Sequence, residues 1–187
     1  MIKQLKSAHY GKSIAVVGSG PSALKFKGEE QISIALNAAV VIDYAWNYFC
    51  GFDTTLGQKA WWPETLKTNR IMGYELCGMV DRREQDWMFD YTGQRKIPEL
   101  PYDFSELTNV GNIAIPAVEA ALIMGAHRLV LYGIDLNQRV YFDNEPASAG
   151  YGVTAPRYMQ TLLGLAQCDG IDVEVVGSED CKIRLVM

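Results

Sequence analysis

The residues most able to do chemistry form a glycine-rich turn and a set of polar side chains at the ends of apolar runs. The turn is Gly18-Ser19-Gly20-Pro21-Ser22-Ala23, a G-x-G-x-x-A pattern directly after the β-branched run 13–17. Where such a turn joins a strand to a helix, free backbone N–H groups and the helix dipole favour an anion, above all a phosphate. Pro21 suits the first helical turn, where its missing N–H costs nothing, although it removes one donor from the phosphate cradle. A dinucleotide site would need a carboxylate about 20 residues on, at the end of the second strand. That position holds Asn37, whose amide can bond a hydroxyl or a base edge but lacks a charged acceptor, so NAD becomes a minor reading. Asp53 ends a third apolar run and Asp135 follows a late one. In open α/β sheets the ligand lies outside the carboxyl ends of the strands, and Asn37, Asp53, Asp135 and the glycine-rich turn all fall there. Gly133, just before Asp135, joins the expected nucleotide contacts. Asn109, Gly111 and Asn112 open the apolar stretch that follows, either as further anion or ribose contacts or as helix caps.

These residues need a frame of strands and helices. The runs 13–17, 32–36 and 48–52 are continuous and apolar, as in strands buried on both faces of a parallel sheet. A helix from Pro21 to about Gly28 and a short one over 38–44 would connect them. A helix over 60–67 and a strand over 70–76 are expected next. The segment 81–108 is irregular, with two prolines, many charges and several aromatics, and reads as a lid, a binding loop or an oligomer contact. The stretch 113–124 is apolar nearly all round, so it reads as a helix buried between layers and closed by Gly125. A strand over 128–132 follows, then a polar loop over 137–152. A helix begins at Thr154, with Tyr158, Met159, Leu162, Leu163 and Ala166 on its apolar face. A strand through Ile171, Val173 and Val175 comes next, and 181–186 is expected as an antiparallel edge. The chain then reads as one domain over 1–187, an open, mostly parallel α/β sheet with helices on both faces.

Composition narrows the function. The chain has 187 residues, 49% of them hydrophobic and 21% charged, with a net charge of -5. An acidic protein is poorly suited to nucleic-acid backbones or anionic lipid, so no nucleic-acid partner is expected. The longest apolar run, 113–126, contains Pro116 and Glu119 and is shorter than the roughly 20 residues a membrane span needs. The start of the chain has no apolar secretory core. Its four cysteines, Cys50, Cys77, Cys168 and Cys181, are dispersed and there are only two histidines, so no metal site is expected and the thiols read as reduced, in a cytoplasmic protein.

With these residues in view, the chain resembles the bacterial motility accessory factor family, which includes archaeal 6-hydroxymethylpterin diphosphokinase-like proteins. The resemblance rests on Gly18-Ser19-Gly20-Pro21-Ser22, on Ala35-Leu36-Asn37-Ala38-Ala39, on Phe49-Cys50-Gly51-Phe52-Asp53, and on the block 111–136. In that block a glycine opens an Ala-rich helix, followed by Gly125-Ala126, an apolar strand and Gly133-Ile134-Asp135-Leu136. Both parts are also similar to the bacterial sialyltransferases of glycosyltransferase family 42. The resemblance implies a Rossmann-like sheet that binds a nucleotide-sugar or a nucleoside triphosphate. It would place 18–22 on the phosphates, Asn37 on the nucleoside, Asp53 in the cleft, Asp135 as organiser of its loop and Tyr141 on the leaving phosphate. The sialyltransferases use a histidine base in the segment after that loop, whereas residues 142–170 here contain none. His9 and His127 are the only two.

The expected function is therefore a nucleotide-dependent, glycosyltransferase-like transferase with a nucleotide-sugar donor and an unidentified acceptor. Asp135, Asp53 and Tyr141 are its candidate catalytic groups, and Asp143 is a further candidate base. There is no D-x-D pair for a metal and a sugar diphosphate, which favours metal-independent transfer. Three alternatives stay open. Pterin diphosphokinase-like diphosphate transfer would need Mg²⁺ held by carboxylates such as Asp53 and Asp135. A degenerate transferase would bind nucleotide without turnover. An NAD oxidoreductase is the fourth reading. A homo-oligomer contact through the aromatics of 81–108 or the Trp61-Trp62 pair is a further expectation.

Overall fold

In a computed structural model, residues 2–51, 56–74, 87–89, 107, 112–136, 142, 154–177, 183 and 185 are described. The chain begins with a one-turn helix, α1 (Ile2–Leu5), whose Leu5 is fully buried. The apolar runs then become strands: β1 (Ser13–Val17), β2 (Ile32–Leu36) and β3 (Tyr48–Gly51). A 3-10 turn over Leu56–Gln58 and the short helix α2 (Trp62–Thr65) lead to β4 (Arg70–Tyr74) and β5 (Trp87–Phe89). The second half is α3 (Ala114–Ile123), β6 (Arg128–Tyr132), α4 (Thr154–Cys168) and β7 (Asp172–Val176).

All seven strands join one sheet in the order β5-β4-β3-β2-β1-β6-β7, and every pair is parallel. Consecutive residues of a strand point to opposite faces. Ile14 to Val17 and the whole of β2 are buried without a break, so both faces of the central strands are covered. This is the open, doubly wound α/β architecture, Rossmann-like in its plan. The chain runs outward from β1 to β5, then returns to the other side of β1 to add β6 and β7. The direction therefore reverses between β1 and β6, and the carboxyl ends of these two strands flank the switch point.

The buried helix is as its sequence suggests. All ten residues of α3 are buried, and it packs on β1 and β2 while touching α4. Pro116 sits in its first turn, where a missing N–H breaks no helical bond. The one carboxylate inside, Glu119, is held by the Tyr158 hydroxyl of α4, which donates to Oε1 at 2.8 Å. Gly125 closes the helix with φ +85°, the left-handed conformation glycine adopts without strain. The expected face of α4 is also the buried one: Tyr158, Met159, Leu162, Leu163 and Ala166.

Two expected helices are not α-helices. The segment after the glycine-rich turn is a five-residue 3-10 turn, Pro21–Lys25, and the stretch after β2 is another, Asn37–Val41. The physical reason is aromatic. Each turn ends on an extended residue, Phe26 and Ile42. Phe26 then stacks on Trp46 (centroids 5.1 Å apart, planes 15°) and meets Tyr44 and Tyr132 edge-on. Longer helices would carry these rings away from one another. A further difference is β5, which lies inside the segment 81–108 expected to be irregular and pairs with β4. Three residues are too few to show a period, so only the neighbouring strand reveals it. Leu107 of that segment is buried in the core, and the rest of 81–108 lies outside the described residues. The same holds for most of the expected antiparallel edge at 181–186, of which Ile183 is buried. Among the described residues no helix is long and apolar enough to cross a membrane, and no group of His, Cys, Asp and Glu could hold a metal ion.

Both histidines stay at the amino ends of the strands. His127 precedes β6, and its backbone N–H donates to Lys12 O. His9 packs edge-on against Tyr48, with Nε2 2.6 Å from the hydroxyl. Burial, then Arg70 and Lys12, lowers the His9 pKa below its usual 6.5. The folded state thus binds this proton less readily than the unfolded state. Its contribution to stability is full above about 6.5 and falls as pH drops from there through the lower folded value. Two measurements check the frame. Leu129→Ala, in the middle of β6 and fully buried, should lower the urea-unfolding free energy by about 2–5 kcal/mol. The exposed neighbour Arg128→Ala should stay within about 0.5 kcal/mol. An NMR titration should place His9 below 6.5, and His9→Gln should flatten the stability profile on the acid side of that value.

Candidate functional site

At the switch point two loops meet, and backbone atoms make most of the contact. The Gly18 N–H donates to Tyr132 O at 2.7 Å, and the Gly20 N–H donates to Gly133 O at 2.9 Å. These bonds carry the β1–β6 pairing past the ends of the strands. They demand two bare α-carbons. A Cβ on Gly18 would lie 2.5 Å from Gly133 O, and one on Gly133 would lie 2.4 Å from Gly18 O. Gly133 also has φ +63°, which a side chain resists. The glycines that suggested a phosphate turn are therefore required in part by this close approach.

Ser22 fastens the junction. Its hydroxyl accepts the Gly133 N–H at 2.8 Å and donates to Asp135 Oδ2 at 3.1 Å. Ser22 is 2% and Asp135 1% exposed, so the bonds are shielded from water. A buried carboxylate that accepts a hydroxyl hydrogen bond makes one of the stronger contacts available to it. Three positions earlier, the Ser19 hydroxyl donates to Leu36 O at 3.2 Å, tying the turn to the end of β2. The Ser19 carbonyl accepts the backbone N–H of Phe142 at 2.9 Å, so the chain beyond β6 returns to the glycine-rich turn.

Asn37 follows directly on Leu36. Its backbone is left-handed, at φ +49°, a conformation that asparagine tolerates better than most residues. Its side-chain Oδ1 is buried and has no hydrogen-bond partner. Leu136, with φ +50°, is a second non-glycine residue in this conformation at the same edge. Backbone strain of this kind gathers where a structure holds a site in a fixed shape.

The structure thus brings Gly18, Ser19, Gly20, Pro21, Ser22, Asn37, Gly133 and Asp135 to one edge of the sheet. Asn112 is committed elsewhere: its Oδ1 accepts the Ala114 N–H at 2.9 Å and caps the start of α3. Asp53, Asn109, Gly111, Tyr141 and Asp143 lie outside the described residues. The expected phosphate cradle is altered in two ways. The amides of Gly18 and Gly20 are taken by β6 and its loop. The 3-10 turn that follows is too short to supply a helix dipole. The link between Ser22 and Asp135 had no local signal, since 113 positions separate the two. The left-handed Asn37 did have one: asparagine, directly after a buried strand.

Gly133→Ala should be among the most damaging substitutions in the chain, since it meets both a backbone clash and an unfavourable φ; it should give little folded protein by circular dichroism. Ser22→Ala should fold but lose about 1–3 kcal/mol in urea unfolding, because it strips a partner from Gly133 and from a buried carboxylate.

Comparisons of the chain with protein-family models, with curated proteins and with solved structures give no match.

Proposed function

We propose that this protein is a nucleotide-dependent transferase, glycosyltransferase-like, which takes a nucleotide-sugar donor at the carboxyl edge of β1, β2 and β6. The observation that carries the reading is the buried, unpartnered Oδ1 of Asn37 at a strained position beside Ser19. A buried carbonyl oxygen without a donor costs about 1–3 kcal/mol. A ribose hydroxyl or the amino group of a base would supply that donor. The position also agrees with the general rule for ligands in open α/β sheets.

The other residues take roles that follow from their surroundings. The glycine-rich turn borders the phosphates as part of the edge, while the Ser19 hydroxyl ties it to Leu36 O. Gly18, Gly20, Ser22, Gly133 and Asp135 hold the two loops in register, so Asp135 acts as a positioning residue. The acceptor proton then falls to Asp53, two positions beyond β3 in the sequence, and Tyr141 assists the departing phosphate. The nucleotide is the only small-molecule partner this reading names, and the acceptor stays unassigned. Cys50, buried, and Cys168, exposed, form no disulfide, which suits a cytoplasmic setting. One observation favours a second reading, a nucleotide-binding module without turnover: Asp135 is 1% exposed and accepts a hydrogen bond from Ser22.

A thermal-shift panel tests the proposal with CMP, UDP, GDP, CMP-sugar, UDP-sugar, ATP and NAD, each with Mg²⁺ and with EDTA. A ligand at 100 times its Kd adds about 2.7 kcal/mol, which raises Tm by about 5–10 °C in a domain of this size. The expected result is such a shift with a cytidine or uridine nucleotide, unchanged by EDTA and lost in Asn37→Gly, which keeps the left-handed backbone. Turnover of the matching sugar donor separates the transferase from the binding module. A shift with ATP that needs Mg²⁺ would replace the reading by diphosphate transfer. A shift with NAD alone, or with nothing, would overturn it.

A further inference from the structure

Among the described residues four buried side-chain atoms lack a hydrogen-bond partner: Glu30 Oε2, Asn37 Oδ1, Trp62 Nε1 and Gln167 Oε1. Three of these are acceptors, and the Trp62 indole N–H is the donor. Buried polar groups are nearly always paired, so an orphan calls for a partner from outside the chain or a physical reason. The fold sets Trp62 on the element next to Asn37. The connection from β2 to β3 begins with the turn Asn37–Val41, and the connection from β3 to β4 contains α2, which begins at Trp62. The strands β2, β3 and β4 are successive parallel neighbours, so right-handed crossovers put both connections on one face of the sheet. The turn and α2 pack on each other there. Each connection leaves from the carboxyl edge, so Asn37 and Trp62, the first residues of the two packed elements, lie at the ends nearer that edge. Leu36 pairs with Cys50, which brings Asn37 level with Gly51, the last residue of β3. Trp62 is seated on the same strand: its ring meets the fully buried Phe49 edge-on, with centroids 6.2 Å apart and planes at 84°. Trp62 is 5% exposed, so its N–H is shielded from water.

The two orphans are complementary. Asn37 Oδ1 can only accept, and the Trp62 N–H can only donate. A ligand group with a donor and an acceptor side by side satisfies both. Every nucleobase has such an edge: the amino group and ring nitrogen of cytosine, or the imide N–H and carbonyl of uracil. Proteins read single bases along this edge. We propose that Trp62 is a base-reading residue, whose indole N–H donates to an acceptor of the nucleobase while Asn37 Oδ1 accepts from the neighbouring N–H or amino group. The inference rests on the nucleotide site of the proposed function and deepens it. It makes the base, rather than the ribose, the partner of Asn37, and it adds a specificity residue from the connection between β3 and β4.

The test follows the Trp62 indole N–H of the ¹⁵N-labelled full chain by NMR, assigned through bonds to its own backbone amide. CMP and UMP are the probes, and ribose 5-phosphate is the base-free control. A hydrogen-bonded indole proton resonates downfield of an unpartnered one. The expected result is a saturable downfield shift with one of the two nucleotides and none with ribose 5-phosphate. Trp62→Phe keeps a ring against Phe49 and removes the donor. It should weaken that nucleotide about fivefold, the size of one neutral hydrogen bond, and leave the affinity for ribose 5-phosphate unchanged. The wild-type titration decides the question even where Trp62→Phe folds poorly. Three results overturn the inference and leave the nucleotide site standing: a nucleotide that binds with the Trp62 signal unmoved, full nucleotide affinity in Trp62→Phe, or an equal loss for ribose 5-phosphate. A wild-type protein that binds neither CMP nor UMP overturns the transferase reading, and this inference with it.

Discussion

Two glycines facing each other across the β1–β6 junction set the terms for much of this structure. With hydrogen in place of a side chain at Gly18 and Gly133, the loops beyond both strands approach to backbone contact. Two further main-chain hydrogen bonds then form past the strand ends. The same approach puts Ser22 within reach of both Gly133 and Asp135, and it carries Asp135 into the interior. That proximity gives the buried carboxylate its hydrogen bond from the Ser22 hydroxyl. The Ser19 hydroxyl extends the junction to β2, and Asn37 is placed by the strand end to which Ser19 is bonded.

The face containing Tyr132 is built differently from the common helix-covered plan. Phe26, Tyr44, Trp46 and Tyr132 lie together, each in ring contact with another. Rings bury a large apolar area per residue, so short crossovers with two 3-10 turns can cover a region that would otherwise call for full helices. Glu30 enters this layer and accepts the Tyr132 hydroxyl at 3.0 Å. Burial first, and then the bond to Glu30, pushes the tyrosine pKa well above its ordinary value, so the hydroxyl stays a donor. Gly28, with φ +72°, leaves room for the Tyr44 ring, which a Cβ at that position would strike.

The two edges of the sheet are chemically unlike. The carboxyl edge gathers glycines, small hydroxyls, an amide and a buried carboxylate. The amino edge carries His9, Lys12 and Arg70. Parallel strands make this separation automatic, because every strand enters at one edge and leaves at the other.

The sequence by itself determined the strands β1, β2, β3 and β6, the buried helix α3 and the apolar face of α4. These are local properties: continuous apolar runs, β-branched residues and helical spacing act within a few residues of one another. It also placed Asn37, Asp135 and the glycine-rich turn at one edge, because strand order along the chain already implies which ends carry the ligand. The tertiary structure alone decided what those residues do to one another. Ser22 and Asp135 are bonded across 113 positions, Gly18 and Gly133 are opposed, and the amides expected to cradle a phosphate are turned instead toward a neighbouring loop. It alone decided that the first crossovers are 3-10 turns and that Trp87–Phe89 is a strand. Such outcomes depend on distances between segments that the chain brings together only when it folds, and no local pattern of residue types encodes a distance of that kind.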